Sequence, residues 1–346
     1  MSSPEQQTHQ WLRESLGEYA RTRRAIACIP AEIEADILCR WVEAHGLEGL
    51  FYQAQDAGGS LVAILPRWRQ KAMADLFTNL RALRLTVQLF NLFDTTGIEA
   101  VAMRGVVLAN RDYGSPEERS MRDVDILLHA DARSAVLRNL TLTGHTPIER
   151  LRSQEVYKID GVVLELHWSL LTAKRYRNCI DEGAWLKLRS PLQTQDGRLY
   201  VLPRENELIG LVLHAFIHHE LGILRQLLDI ALFITDEKLD WPRVAKWCHD
   251  TRLTRMFALS LHLVDELFYL EAEVVSRHFP LPTADAKRVQ AWIAPFFSRV
   301  ELGNYLQLKG NMLYAAETPE RLFRQALGFF SASELRDVRR RYFRTP

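Results

Sequence analysis

Two carboxylates one residue apart, Asp123 and Asp125, interrupt the otherwise apolar run Met121-Arg122-Asp123-Val124-Asp125-Ile126-Leu127-Leu128. Successive strand side chains point to opposite faces, so the two acids share one face while Val124, Ile126 and Leu128 alternate with or follow them into a core. Like charges with nothing basic between them repel. A divalent cation relieves that repulsion, since Mg²⁺ takes carboxylate oxygens and keeps positions for water and substrate phosphates. A second run, Gly161-Val162-Val163-Leu164-Glu165-Leu166-His167-Trp168, carries one carboxylate at its centre, Glu165. On a neighbouring strand Glu165 would be the third acid of a cup for one or two ions, placed to activate an attacking oxygen and stabilise a leaving pyrophosphate. The plain alternative is a surface pair of acids on an edge strand and a glutamate paired with an arginine.

The residues ahead of the acids suit a phosphate. Ile98 to Met103 reads as a short strand, Arg104-Gly105 as its tight exit and Val106 to Arg111 as a helix. Gly105 has no side chain to block close approach, and the free N–H groups of a helix start favour an anion. Tyr113-Gly114-Ser115-Pro116 supplies the intervening turn. Arg104, Arg119 and Arg122 offer positive charge for phosphate oxygens that a metal does not reach. Alternation from Asp123 turns Arg122 away from the acids, which ranks Arg119 first and Arg104 second.

Met103-Arg104-Gly105, the Tyr113 turn, Arg119-Ser120-Met121-Arg122-Asp123-Val124-Asp125-Ile126-Leu127 and Glu165-Leu166-His167-Trp168 together resemble the nucleotidyltransferase superfamily that includes DNA polymerase beta. Within it they resemble a bacterial family described as uncharacterised nucleotidyltransferases. Leu202-Pro203, His214, His218 and Leu227-Leu228-Asp229-Ile230-Ala231-Leu232 are similar to that family's helical portion, so the likeness covers residues 98–270. It implies an α+β, mainly helical fold, with a small mixed nucleotidyltransferase sheet flanked by N- and C-terminal helical regions. It also implies metal-dependent transfer of a nucleoside monophosphate from an NTP to an acceptor hydroxyl, with Mg²⁺ as the ion and Mn²⁺ as its substitute. Asp123, Asp125 and Glu165 would then be the catalytic and metal-holding residues, and Arg104, Gly105, Arg119 and His167 would lie against the nucleotide. The acceptor class it suggests is a small molecule, peptide or protein. Arg104 stands where the family commonly has Lys, exchanging a point charge for a planar fork, and Glu165 stands where Asp is more usual. Two alternatives remain: a nucleotide-binding regulatory protein without turnover, and a tRNA-modifying or toxin-like transferase.

The elements that must position these residues follow from patterning. With 346 residues and 47% hydrophobic content the chain can bury a large core, which length alone divides into about two or three domains. We expect a helical region over 1–92, the catalytic core over 93–200 and a helical domain over 201–346. Leu76, Leu80, Leu83, Val87 and Phe90 recur on one helical face, with Pro66 near that helix's start. Segments 10–24 and 32–44 supply helices for it to pack on, and Ala57-Gly58-Gly59-Ser60 is a loop. Arg189-Ser190-Pro191 and Gln195-Asp196-Gly197-Arg198 punctuate the change to helical sequence. Beyond it, Trp241, Val244 and Trp247 form one helix face, and Thr318-Pro319 starts another helix. His214, His218 and His219 share a helix; with no glutamate in a zinc-protease arrangement they read as core or pocket histidines. Arg225 and Asp229, four apart, read as a helical ion pair.

A net charge of +1 gives no global field for nucleic acid, which is not expected as a partner. The arginine-rich stretch Arg336 to Arg344, with Tyr342 and Phe343, reads as a solvated helix end. Four scattered cysteines, Cys28, Cys39, Cys179 and Cys248, read as reduced core thiols. No leader or membrane-spanning apolar run is evident, and the expected compartment is the cytoplasm.

Overall fold

A computed structural model describes residues 3–151, 153–171, 176, 179–296 and 315. The Thr318-Pro319 helix start and the arginine-rich stretch 336–344 lie outside these residues.

Helix α1 (Pro4–Thr22) opens on a capping box in which Ser3 and Gln6 satisfy each other's backbone N–H, with Pro4 in the first turn. After it come the two-residue strand β1 (Cys28–Ile29), α2 (Ala35–His45), α3 (Glu48–Phe51) and β2 (Gln55–Asp56), which pairs in parallel with β1. Helix α4 (Leu65–Thr96) holds Pro66 in its first turn and ends at Gly97, whose φ of 68° lets the chain leave the helix. The expected apolar stripe is only half realised. Leu83, Val87 and Phe90 are buried, whereas Leu76 and Leu80 are half-buried. In the first half of α4 the buried positions are instead Trp68, Ala72, Asp75 and Asn79. The cause is a change of partner: the first half packs on α3 and the turn at 116–118, the second on the sheet.

The core elements are β3 (Ala100–Met103), α5 (Gly105–Arg111), β4 (Asp123–Leu128), α6 (Arg133–Leu142), β5 (Glu149–Arg150), β6 (Gln154–Ile159), β7 (Val162–His167), α7 (Glu182–Lys187), β8 (Ser190–Gln193) and β9 (Arg198–Val201). Five strands form a mixed sheet in the order β3-β4-β7-β6-β5, with β4 and β7 parallel and the other neighbours antiparallel. Alternation divides its faces. Ala100 and Ala102, Val124, Ile126 and Leu128, and Leu164 and Leu166 join Leu83, Val87 and Phe90 in one buried cluster. The acids occupy the opposite face. The fold is thus α+β with a small mixed sheet, as the sequence implied.

Helices α8 (Arg204–His219), α9 (Leu224–Ile234), α10 (Trp241–Asp250), α11 (Thr254–Leu267), α12 (Glu273–His278) and α13 (Thr283–Phe296) follow. Two compact units cover Met1–Leu211 and Val212–Pro346. In α10, Trp241, Val244 and Cys248 are buried and Trp247 half-buried. All four cysteines are free thiols, yet only Cys248 is buried and Cys28 is exposed, so the expectation of core thiols holds for one of them. Among the described residues no helix is long and apolar enough to cross a membrane.

Candidate active site

The register of the parallel pair assembles the site. Asp125 lies opposite Glu165, and Leu127 opposite His167, so Asp123, Asp125, Glu165 and His167 share the face turned away from the core. His167 Nε2 donates to Asp125 Oδ1 at 2.8 Å and lies 3.4 Å from Glu165 Oε2. Gln154, opposite His167 on β6, donates from Nε2 to Glu165 Oε2 at 3.0 Å. The side chains of Asp125 and His167 are only 6% and 5% exposed, and that of Glu165 is 23% exposed. Burial is therefore deepest where the hydrogen bonding is densest. One ligand atom each from Asp125, Glu165 and His167 lie within 4.8 Å of one another, the one such group among the described residues. Asp123 stands on the same face outside that trio.

Charge on this face is unbalanced. Burial, then the neighbouring carboxylates of Asp125 and Glu165, push the Asp123 carboxyl up to about 6, against a smaller pull from Arg104 and Arg119. For His167, burial disfavours the charged ring, but hydrogen bonds to Asp125 and Glu165 outweigh it and raise the imidazole above its ordinary range.

Arg104 follows Met103, which pairs with Asp125 across β3 and β4. Its Nη1 donates to Asp125 Oδ1 at 2.8 Å. Its backbone sits at φ 53°, ψ −121°, a turn conformation that glycine adopts freely and other residues only under strain of about 1–3 kcal/mol. Gly105 is the first residue of α5. A Cβ there would lie 2.8 Å from Met121 Sδ and 3.0 Å from Arg119 Nη1, so its missing side chain makes room for those two. Arg119 is buried, and Arg122, one residue ahead of β4, is exposed.

Residues before position 100 hold the turn that delivers Arg119 and β4, and sequence patterning did not reveal them. Asn79 Nδ2 donates to the carbonyls of Pro116 (2.6 Å) and Arg119 (2.9 Å). Tyr19 donates to Glu118 Oε2 at 2.6 Å and Tyr52 to Glu117 Oε1 at 3.1 Å. The Gly49 Cα lies so close to the Glu117 carbonyl that a Cβ would overlap it. No sequence signal marks Asn79, because its partners lie 37 and 40 residues away. Behind α5, Arg111 pairs with Glu207 (2.6 Å) and Asp112 (2.8 Å), while Arg204 reaches Asp112 at 2.8 Å. In the helical unit His214 Nε2 lies 3.2 Å from His219 Nε2, with the His218 ring 5.2 Å from that of His214. Asp229 is fully buried.

Residues 31–269 match a family described as uncharacterised nucleotidyltransferase, and the chain belongs to that family. No curated protein matches it. Similar solved structures include an antigenic nucleotidyltransferase-like protein from Paracoccidioides brasiliensis, with 18% identity, 44% of this chain and 76% of that one covered, and a TM-score of 0.32. Another is the lincosamide antibiotic adenylyltransferase LnuA in its lincomycin-bound form, with 18% identity, 35% and 80% covered, and a TM-score of 0.26.

Proposed function

We propose that the chain moves a nucleoside monophosphate from an NTP to a hydroxyl of a small-molecule, peptide or protein acceptor in a divalent-ion-dependent reaction. The acceptor oxygen attacks the α-phosphorus, the bond to the β-phosphate oxygen breaks, and pyrophosphate leaves. The observation that carries this reading is the parallel register setting Asp125 beside Glu165 on one face, with His167 bonded to Asp125. The donor chemistry fits a hard divalent ion: two carboxylates converge, and His167 orients them by hydrogen bonding. Such an ion, Mg²⁺ or Mn²⁺, would neutralise developing charge and orient the phosphates when bound.

The chain's own groups do the rest. Asp123, Asp125 and Glu165 supply the negative oxygens, and Glu165 accepts the proton of the attacking hydroxyl. Arg119 and Arg104 answer the triphosphate charge, with Gly105 leaving Arg119 its place. The rival reading, a protein that binds nucleotide without turnover, draws on Arg104 and His167 both occupying one oxygen of Asp125. Pyrophosphate release from labelled NTPs with Mg²⁺ or Mn²⁺ and candidate acceptors separates the two. Transfer predicts release that falls at least ~100-fold in Asp125→Asn, on the scale of a lost electrostatic contribution, and persists in Arg122→Ala. Nucleotide binding without release supports the rival.

A further inference from the structure

Asp125 Oδ1 receives two donors, Arg104 Nη1 and His167 Nε2, each at 2.8 Å. A carboxylate oxygen offers two lone-pair sites, so both on this atom are engaged. The Arg104 side chain is 15% exposed and that of Asp125 6%, so solvent screens their attraction little. Arg104 reaches this position from a backbone conformation that suits glycine. The end of β3 fixes its Cα one residue beyond the partner of Asp125, and the turn into α5 aims the side chain back at the acid.

We propose that Arg104 is an internal counter-ion to Asp125 that passes to the triphosphate when nucleotide binds, making cation and nucleotide binding mutually cooperative. The proposal rests on the nucleotidyl-transfer reading of the same site. A divalent ion binding Asp125 alone, even through Oδ2, shares the carboxylate's charge with the Arg104 guanidinium and meets that positive charge at close range in a little-screened site. A triphosphate offers that planar fork new oxygens in bidentate geometry, so the two ligands together avoid a penalty that each alone would incur. Reciprocity is required thermodynamically: if nucleotide eases ion entry, the ion eases nucleotide entry by the same factor. His167 is not exchanged and keeps the carboxylate oriented.

Arg104→Gly is the informative variant, because glycine suits the backbone at this position while deleting the counter-ion. Mn²⁺ alone is titrated into wild type and variant, with free ion followed by electron paramagnetic resonance. Arg104→Gly should bind Mn²⁺ about 10-fold more tightly than wild type, within the usual range of coupling between sites, and adding Asp125→Asn should abolish the gain. With a nucleotide analogue carrying a carbon α,β-bridge present at saturation, Mn²⁺ affinity should rise about 10-fold more in wild type than in Arg104→Gly, because only wild type has an ion pair for the triphosphate to relieve; an equal rise overturns the hand-over. Mn²⁺ affinity unchanged or weakened in Arg104→Gly overturns the counter-ion, even if wild type releases pyrophosphate. Tightened Mn²⁺ binding with no pyrophosphate release by wild type keeps the counter-ion and sinks the transfer reading.

Discussion

Asp123 and Asp125 are two residues apart on one strand face, yet their surroundings give them opposite roles in stability. Burial, and after it the carboxylates of Asp125 and Glu165, raise the Asp123 carboxyl to about 6 from an ordinary 3.8. A folded-state value above the unfolded one means that the folded chain holds the extra proton across that interval, so stability falls as pH rises through 6. Asp123→Asn should therefore stabilise the protein in EDTA at pH 7.5 by ~1–3 kcal/mol, a gain that fades as pH drops below 6. Urea denaturation at several pH values measures this, and a gain that persists unchanged at pH 4.5 would contradict it. Asp125 instead accepts from Arg104 and His167. Asp125→Ala strands both donors and should cost about 3 kcal/mol in the same assay; a neutral result would show that the two donors relax into water. The proton on Asp123 also competes with any divalent ion, so Mn²⁺ affinity should decline as pH falls through 6.

At the scale of elements, the least expected feature is the brace on the turn before β4. The Asn79 side chain donates to two carbonyls, Pro116 and Arg119, across 37 and 40 residues of chain, and Tyr19 reaches Glu118 across 99. Asn79→Leu removes the donor to the buried Arg119 carbonyl and leaves Pro116 O only the long bond from the Arg119 N–H, for an expected loss of ~1–3 kcal/mol. It should also weaken nucleotide binding by releasing Arg119. Thermal melts and analogue titration report the two effects separately, and intact affinity in a destabilised variant would detach the brace from the site. Gly49→Ala should be worse folded still, since its Cβ meets a backbone carbonyl rather than a flexible side-chain end.

These contacts also mark the limit of what patterning reveals. The acid face of β4 and β7 was legible because charge inside an apolar alternating run is locally anomalous. His167 was drawn in only through family resemblance, because one histidine at a strand end is locally ordinary. The β8–β9 hairpin reads in the sequence as boundary punctuation, although Asp196-Gly197 sits at its turn, because Ser190-Pro191-Leu192-Gln193 holds a proline and a single aliphatic residue. In β6, Glu155 breaks the apolar pattern while being buried, held there by Arg133 at 2.9 Å and Tyr157 at 3.1 Å. The brace was invisible for a stronger reason: its partners lie far away in sequence, and no local periodicity encodes them.

For the molecule as a whole, charge decides which acceptors are plausible on physical grounds. Lysine and arginine total 44 against 43 aspartate and glutamate, so no net field draws in a polyanion. Four arginines around the core are moreover committed to carboxylates: Arg111 to Glu207, Arg133 to Glu155, Arg189 to Glu99 and Arg198 to Asp94. Binding to RNA gains chiefly from releasing counter-ions as free cations meet phosphates, and paired arginines must first lose their partners. Labelled tRNA at 150 mM salt should therefore bind no more tightly than ~10 µM, within the non-specific range, and should acquire no nucleotide from a labelled NTP. Sub-micromolar binding with a steep salt dependence would reveal a cationic surface that the paired core arginines do not supply. It would also move the expected acceptor from a small molecule, peptide or protein to a nucleic acid.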